Sequence, residues 1–114
     1  GENPYSVPMR IYPAVHYVDG ADDVHTGDGT TIQNVSIFHT YALEWSPTTM
    51  SFFYDNKLVW EHAWDPAAPL DSPQPFDQPF KVVLSQVWGG LWNAPTDATP
   101  RRNVLVVDWV KVWK

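Results

Sequence analysis

Apolar and polar residues alternate along several stretches of the chain. From Met9 to Val18, one face carries Tyr12, Ala14, His16 and Val18 and the other Ile11, Pro13, Val15 and Tyr17, the period of a strand. Phe38 to Trp45 repeats the pattern, with Tyr41, Leu43 and Trp45 set against Thr40, Ala42 and Glu44. Ser46-Pro47-Thr48-Thr49 predicts a turn and Met50 to Tyr54 the next strand. Asp55-Asn56 suits a tight two-residue hairpin, because both residues tolerate the left-handed conformation. Lys57 to His62 then returns antiparallel, which predicts a three-stranded meander with Phe52 and Tyr54 on one face. Ile32 to Ser36 reads as a short strand. It contains Asn34-Val35-Ser36, a glycosylation acceptor pattern common by chance.

Two runs depart from alternation. Phe80 to Val87 is almost wholly apolar, which predicts a buried strand entered at Pro79. Its exceptions are Ser85 and Gln86. The Gly89-Gly90 pair after it permits a bend, flanked by Trp88 and Trp92. Polar groups on a rigid strand, followed by indoles on a bent loop, suit a sugar-binding cleft. They equally suit a core strand whose tryptophans are simply packed. Val104 to Trp113 predicts a closing strand, apolar on both faces apart from Asp108 and Lys111.

The connections are irregular. Asp19 to Gly29 is a loop with Asp19, Asp22, Asp23, Asp28 and His25 as conceivable metal ligands. The spacing fits no calcium loop, and a solvated acidic loop is the simpler reading. Ala63 to Gln78 holds Pro66, Pro69, Pro73 and Pro75, a long connection of the kind that is often functional. With no amphipathic helix, the pattern predicts an all-β protein: an antiparallel sandwich of two stacked sheets.

Composition narrows the function. A chain of 114 residues is at most one domain. Its formal net charge of −6 opposes a nucleic-acid partner, which needs a basic surface, and fits a neutral ligand or a cation. The aromatic share is 15%, with seven tryptophans, a core or a carbohydrate signal. There is no cysteine, hence no disulfide or thiolate metal site. No run approaches the ~18 apolar residues of a membrane span, and no leader is visible. Gly1-Glu2-Asn3-Pro4 reads as an interior position of a longer protein.

Several segments in order then carry a resemblance. They are Ala14-Val15-His16-Tyr17, Phe38-His39-Thr40-Tyr41-Ala42-Leu43-Glu44-Trp45 and Phe53-Tyr54-Asp55-Asn56-Lys57-Leu58-Val59. Pro75-Phe76-Asp77-Gln78-Pro79-Phe80, Gly89-Gly90-Leu91-Trp92 and Val107-Asp108-Trp109-Val110-Lys111-Val112-Trp113 complete the set. Together they resemble the later part of glycoside hydrolase family 16, the laminarinase and lichenase group of endo-β-glucanases. The resemblance implies a β-jelly roll, here incomplete, whose concave sheet binds glycan. It also implies retaining hydrolysis of β-1,3 or mixed-linkage glucan by paired carboxylates on a Glu-x-Asp-x-(x)-Glu strand. That motif is absent: the glutamates are Glu2, Glu44 and Glu61, and none has an aspartate two residues on. The expectation is the later portion, residues 1–114, of one jelly-roll domain of a secreted enzyme, with no catalytic residue of its own. The missing N-terminal half would be its partner. The alternative is a non-catalytic β-glucan-binding jelly roll.

The resemblance also assigns roles. His16 matches a cleft-strand histidine, set against a half-buried histidine satisfied by backbone. Ser85 matches a polar cleft position, whereas the local pattern favours Gln86, on the face of Trp88; consecutive residues point to opposite faces, so one of them faces the cleft. Trp92 matches a cleft-lining indole, with core packing as the other reading. His39 is taken as structural, and Trp45, Trp109 and Trp113 as core. Asp108 matches the family's structural calcium position. The implied mechanism requires no cofactor. The implied partner is a β-glucan, with no nucleic acid and no membrane.

Overall fold

A computed structural model describes residues 10–17, 25–32, 34, 37–63, 76, 78–86, 94–102 and 104–114, with the backbone alone at 25 and 26. The chain divides into two compact units, Gly1–Pro79 and Phe80–Lys114. No helix occurs among the described residues, and every strand pairing is antiparallel, so the chain is all-β as the alternation predicts. Among the described residues the strands form two two-stranded ribbons and one three-stranded sheet.

The first unit is built on a meander of β5 (Tyr41–Trp45), β6 (Thr49–Tyr54) and β7 (Lys57–Ala63). Its three strands and their order are those the alternating pattern predicts. Asp55 and Asn56 adopt φ of 48° and 63°, so the β6–β7 turn uses the left-handed conformation that Asp and Asn tolerate. The register sets Trp45, Met50 and His62 side by side, and likewise Leu43, Phe52 and Trp60. Opposite them lies a second row of Glu44, Ser51 and Glu61. A β-bulge falls at Phe52/Phe53, where Val59 has no cross-strand partner between Leu58 and Trp60.

Two small ribbons precede the meander. β1 (Arg10–Ile11) pairs with β4 (Thr30–Thr31), and β2 (Ala14–Val15) pairs with β3 (His25–Thr26). The single strand expected from Met9 to Val18 is therefore split at Tyr12-Pro13. Pro13 has no N–H to give a ladder; its carbonyl accepts instead from the Gly27 amide at 3.1 Å. The loop expected from Asp19 to Gly29 contains β3, and β4 falls at Thr30–Thr31; most of the strand expected at Ile32 to Ser36 lies outside the described residues. Asn34 turns the chain with φ of 47°.

The core of this unit is Val15, Met50 and Phe76, with Tyr17, Phe52 and Trp60 packed against it. Full burial of such side chains stabilises by about 1.5–3 kcal/mol each. Gly27 is buried against the indole of Trp60 so closely that a Cβ would lie 2.4 Å from its Cγ. Outside this centre β5 stays open: Tyr41, Leu43 and Trp45 are all exposed.

The second unit differs from expectation. Residues 80–86 and 104–114 form no strand ladder among the described residues, and Val83 and Trp113 are 77% and 73% exposed. Over the described residues, the buried strand predicted at Phe80 to Val87 and the closing strand at Val104 to Trp113 are not realised, and Trp45, Trp109 and Trp113, expected in the core, are exposed. A run apolar on both faces is buried only when strands pair beside it and layers cover it, and the described residues supply neither.

Candidate functional site

His16 follows β2 directly, and alternation decides its direction. Val15 is buried in the core and Tyr17 packs against that core, while His16 is exposed. Its imidazole thus stands on the outward side of a segment whose inward side is anchored. The ring is therefore exposed rather than half-buried.

The inward side holds a polar pair that the alternating pattern did not single out. The Tyr17 hydroxyl and His62 Nε2 are hydrogen-bonded at 2.9 Å. His62 stacks on Trp60 with centroids 5.3 Å apart, and Tyr17 meets Phe76 edge-on at 5.2 Å. This assembly fixes the segment bearing His16 to β7. The signal that could have revealed it is parity: His62 alternates with Trp60, and Tyr17 with Val15.

On the other face of the meander, Ser51 Oγ donates to Glu61 Oε2 at 2.9 Å, and Glu44 stands across from Ser51 on β5. Two exposed carboxylates therefore flank one hydroxyl. They come from two different strands, whereas the carboxylates of a Glu-x-Asp-x-(x)-Glu motif share one. A depression of about 350 Å³ lies where Ile11, Tyr12, Ala14, Tyr41, Leu43 and Phe52 approach one another. Its lining is almost wholly apolar and holds no acid–base pair.

In the second unit Ser85 and Gln86 are both exposed, on a segment that belongs to no strand ladder. Trp88 and Trp92 lie outside the described residues. Asp108 is exposed too, and no group of three His, Cys, Asp or Glu side chains able to hold a metal occurs among the described residues. Calcium takes six to eight oxygen ligands, so one carboxylate with no gathered partners does not make a site by itself. No helix among the described residues is long and apolar enough to cross a membrane.

At the β6–β7 turn, His39, Thr40 and Asp55 are joined. The Thr40 amide donates to Asp55 Oδ1 at 2.9 Å, and His39 Nδ1 donates to Asp55 Oδ2 at 2.8 Å. The Thr40 amide, and next the His39 ring, hold the Asp55 carboxyl below its ordinary value. Partial burial, and then the Asp55 carboxylate, push the Tyr54 phenol up. These contacts are architectural: they fasten β5 to the hairpin tip.

Comparison with known proteins identifies the family. A β-glucanase of Rhodothermus marinus is 36% identical over 83 residues, covering 68% of this chain and 29% of the relative. A glucan endo-1,3-β-glucosidase of Cryptopygus antarcticus is 28% identical over 121 residues, covering 93% of this chain and 44% of the relative. Xyloglucan endotransglucosylase/hydrolase 2 of Glycine max is 36% identical over 74 residues, covering 65% and 23%. The chain thus spans less than half the length of each of these relatives. No solved structure matches the chain. The model of the glycosyl hydrolases family 16, a β-jelly-roll family, matches residues 7–111, nearly the whole chain. With its antiparallel all-β architecture and its ordered motifs, the chain belongs to glycosyl hydrolase family 16.

Proposed function

We propose that this chain is the later portion of a retaining endo-β-glucanase that cleaves internal β-1,3 or mixed-linkage glucan bonds, and that it is inactive alone. One observation carries the reading: the family match runs over residues 7–111, yet the chain has no Glu-x-Asp-x-(x)-Glu. Retaining hydrolysis needs a nucleophile and an acid/base about 5–5.5 Å apart, and alternation on one strand is how the motif presents them. A strand outside residues 1–114 then supplies the pair. This chain supplies the cleft framework: His16 as a hydrogen-bonding group, Ser85 or Gln86 on the neighbouring glucose, and Trp88 and Trp92 as stacking surfaces. An indole presents a flat apolar face that matches a pyranose ring. A polymeric substrate does not enter a cell intact, so the enzyme acts outside it.

The test is reducing-end release from laminarin and from a mixed-linkage glucan. The chain alone is expected to release none above buffer. Joined to a segment carrying Glu-x-Asp-x-(x)-Glu, it is expected to turn over, and substitution of either glutamate in that segment abolishes the release. Enzyme-like turnover by residues 1–114 alone overturns the reading.

A further inference from the structure

We infer that His39 is held as an imidazolium by a clasp at the hairpin tip, and that loss of its proton opens the clasp. The inference rests on which atoms meet the ring. Nδ1 faces the Asp55 carboxylate at 2.8 Å and Nε2 faces the Asn34 carbonyl at 3.0 Å. Both are acceptors with no hydrogen to give, so both ring nitrogens must donate, and only the doubly protonated ring has two N–H groups. A neutral ring would turn a lone pair toward one of these oxygens, whichever tautomer it took.

The surroundings favour the charged form. Burial opposes the charge, since the side chain of His39 is only 9% exposed, but the Asp55 carboxylate offsets it at 2.8 Å and the ring stacks on Tyr54 with centroids 5.0 Å apart and planes at 30°. An aromatic face attracts a cation. Asp55 also accepts from the Thr40 amide, and the Asp55 amide donates back to the Thr40 carbonyl at 2.9 Å. The carboxylate is therefore fixed where the imidazolium needs it, and its lowered pKa keeps it ionised. Among the described residues, the other titratable groups nearby are Tyr41, edge-on to Tyr54, and Lys57, paired with Tyr54 and exposed. Among the described residues, the Lys57 ammonium is a like charge that opposes the imidazolium.

The clasp joins three pieces: the Asn34 carbonyl, the start of β5 and the turn. Its sign follows from linkage. A histidine whose pKa is raised by folding contributes stability that is complete below the unfolded value. The contribution is lost as pH rises through the folded value. Alkaline pH therefore unfastens the start of β5 from the hairpin tip and leaves the rest of the meander ladder in place.

The test is nitrogen NMR of the ring in histidine-labelled protein. His39 is expected to stay doubly protonated to a higher pH than an exposed histidine. Its resonance disappears in H39Q, and in D55N it titrates lower. Amide exchange at Thr40 and Asp55, beyond the intrinsic pH effect, is expected to rise by up to about tenfold per pH unit between the midpoint of an exposed histidine and that of His39, and to level off above it. The wild-type titration needs no variant, so a misfolded H39Q does not block the test. A neutral single-tautomer ring at pH 6, a midpoint within the range of exposed histidines, or a midpoint unmoved by D55N overturns the inference.

Discussion

Substituting Gly27 by alanine tests the tightest packing in the first unit. The backbone there has no positive φ, so the change is purely steric. An added Cβ would lie 2.4 Å, 2.6 Å and 2.7 Å from Cγ, Cδ1 and Cδ2 of Trp60. That indole has little room to retreat: it stacks on His62 at 5.3 Å and lies against Phe52 at 5.3 Å. Overpacking a formed core costs about 1–3 kcal/mol. Alanine recovers about 0.4–1 kcal/mol by stiffening the unfolded chain. The net expectation is a loss of about 1–2 kcal/mol, or a Tm lower by about 4–8 °C for a domain of this size. Urea unfolding of Gly27→Ala, Trp60→Leu and the double variant measures the coupling, expected near 1 kcal/mol. Gly29 supplies the control. Its added Cβ would lie equally close, 2.4 Å from the Tyr12 ring, but Tyr12 is 64% exposed and can swing into solvent. Gly29→Ala is therefore expected to be neutral, or stabilising by up to about 1 kcal/mol. If Gly27→Ala melts at or above the parent, or the two alanines behave alike, the steric reasoning fails.

Three further outcomes are expected. Met50→Ala removes a side chain only 5% exposed and should lose about 2–3 kcal/mol in urea unfolding, the low end for core truncation because this core is small. Asn56, with φ of 63°, should accept glycine without loss, whereas valine should lose about 1–2 kcal/mol by thermal melting. The Asp55 carboxyl is lowered by folding, so its contribution is present above the unfolded carboxylate value and is lost as pH falls through the folded one. Acid titration of Tm should therefore show a step below the usual carboxylate range that Asp55→Asn lacks.

The meander was legible because two independent signals agreed there: alternation in Tyr41, Leu43 and Trp45, and a turn pair able to take positive φ. The direction of His16 was not legible, since Ala14 and Val18 on its own face are as apolar as the neighbours that turn inward. The ribbons were less legible. Pro13 interrupts a pattern that still alternates, and the donor it lacks shows only in where the hydrogen bonds go. The apolar run 80–86 could not reveal its own exposure, because burial is decided by neighbours rather than by the run. The clasp at Asp55 joins residues 16 positions apart, and no local period reports such a meeting. His39 was read as structural from the resemblance, without the partner that makes it so.

The bulge at Val59 has a consequence for how this hairpin tolerates change. Counting strictly from the turn, Tyr54 faces Lys57 and Phe53 faces Leu58, so Phe52 would face Val59 and Ser51 would face Trp60. Continued to the end of the strand, that phase would bring Glu61 across from Met50 and carry its charge into the core. The looped-out residue resets the count by one, and Trp60 and His62 return to the side of Met50 and Phe52. Val59 thus acts as a spacer between two hydrophobic patterns that are out of step. A deletion at Val59 leaves both patterns aligned in a plain hairpin. A deletion among the residues after it turns the rest of β7 over. Length variation along this strand is therefore tolerated at one position and strongly selected against beside it.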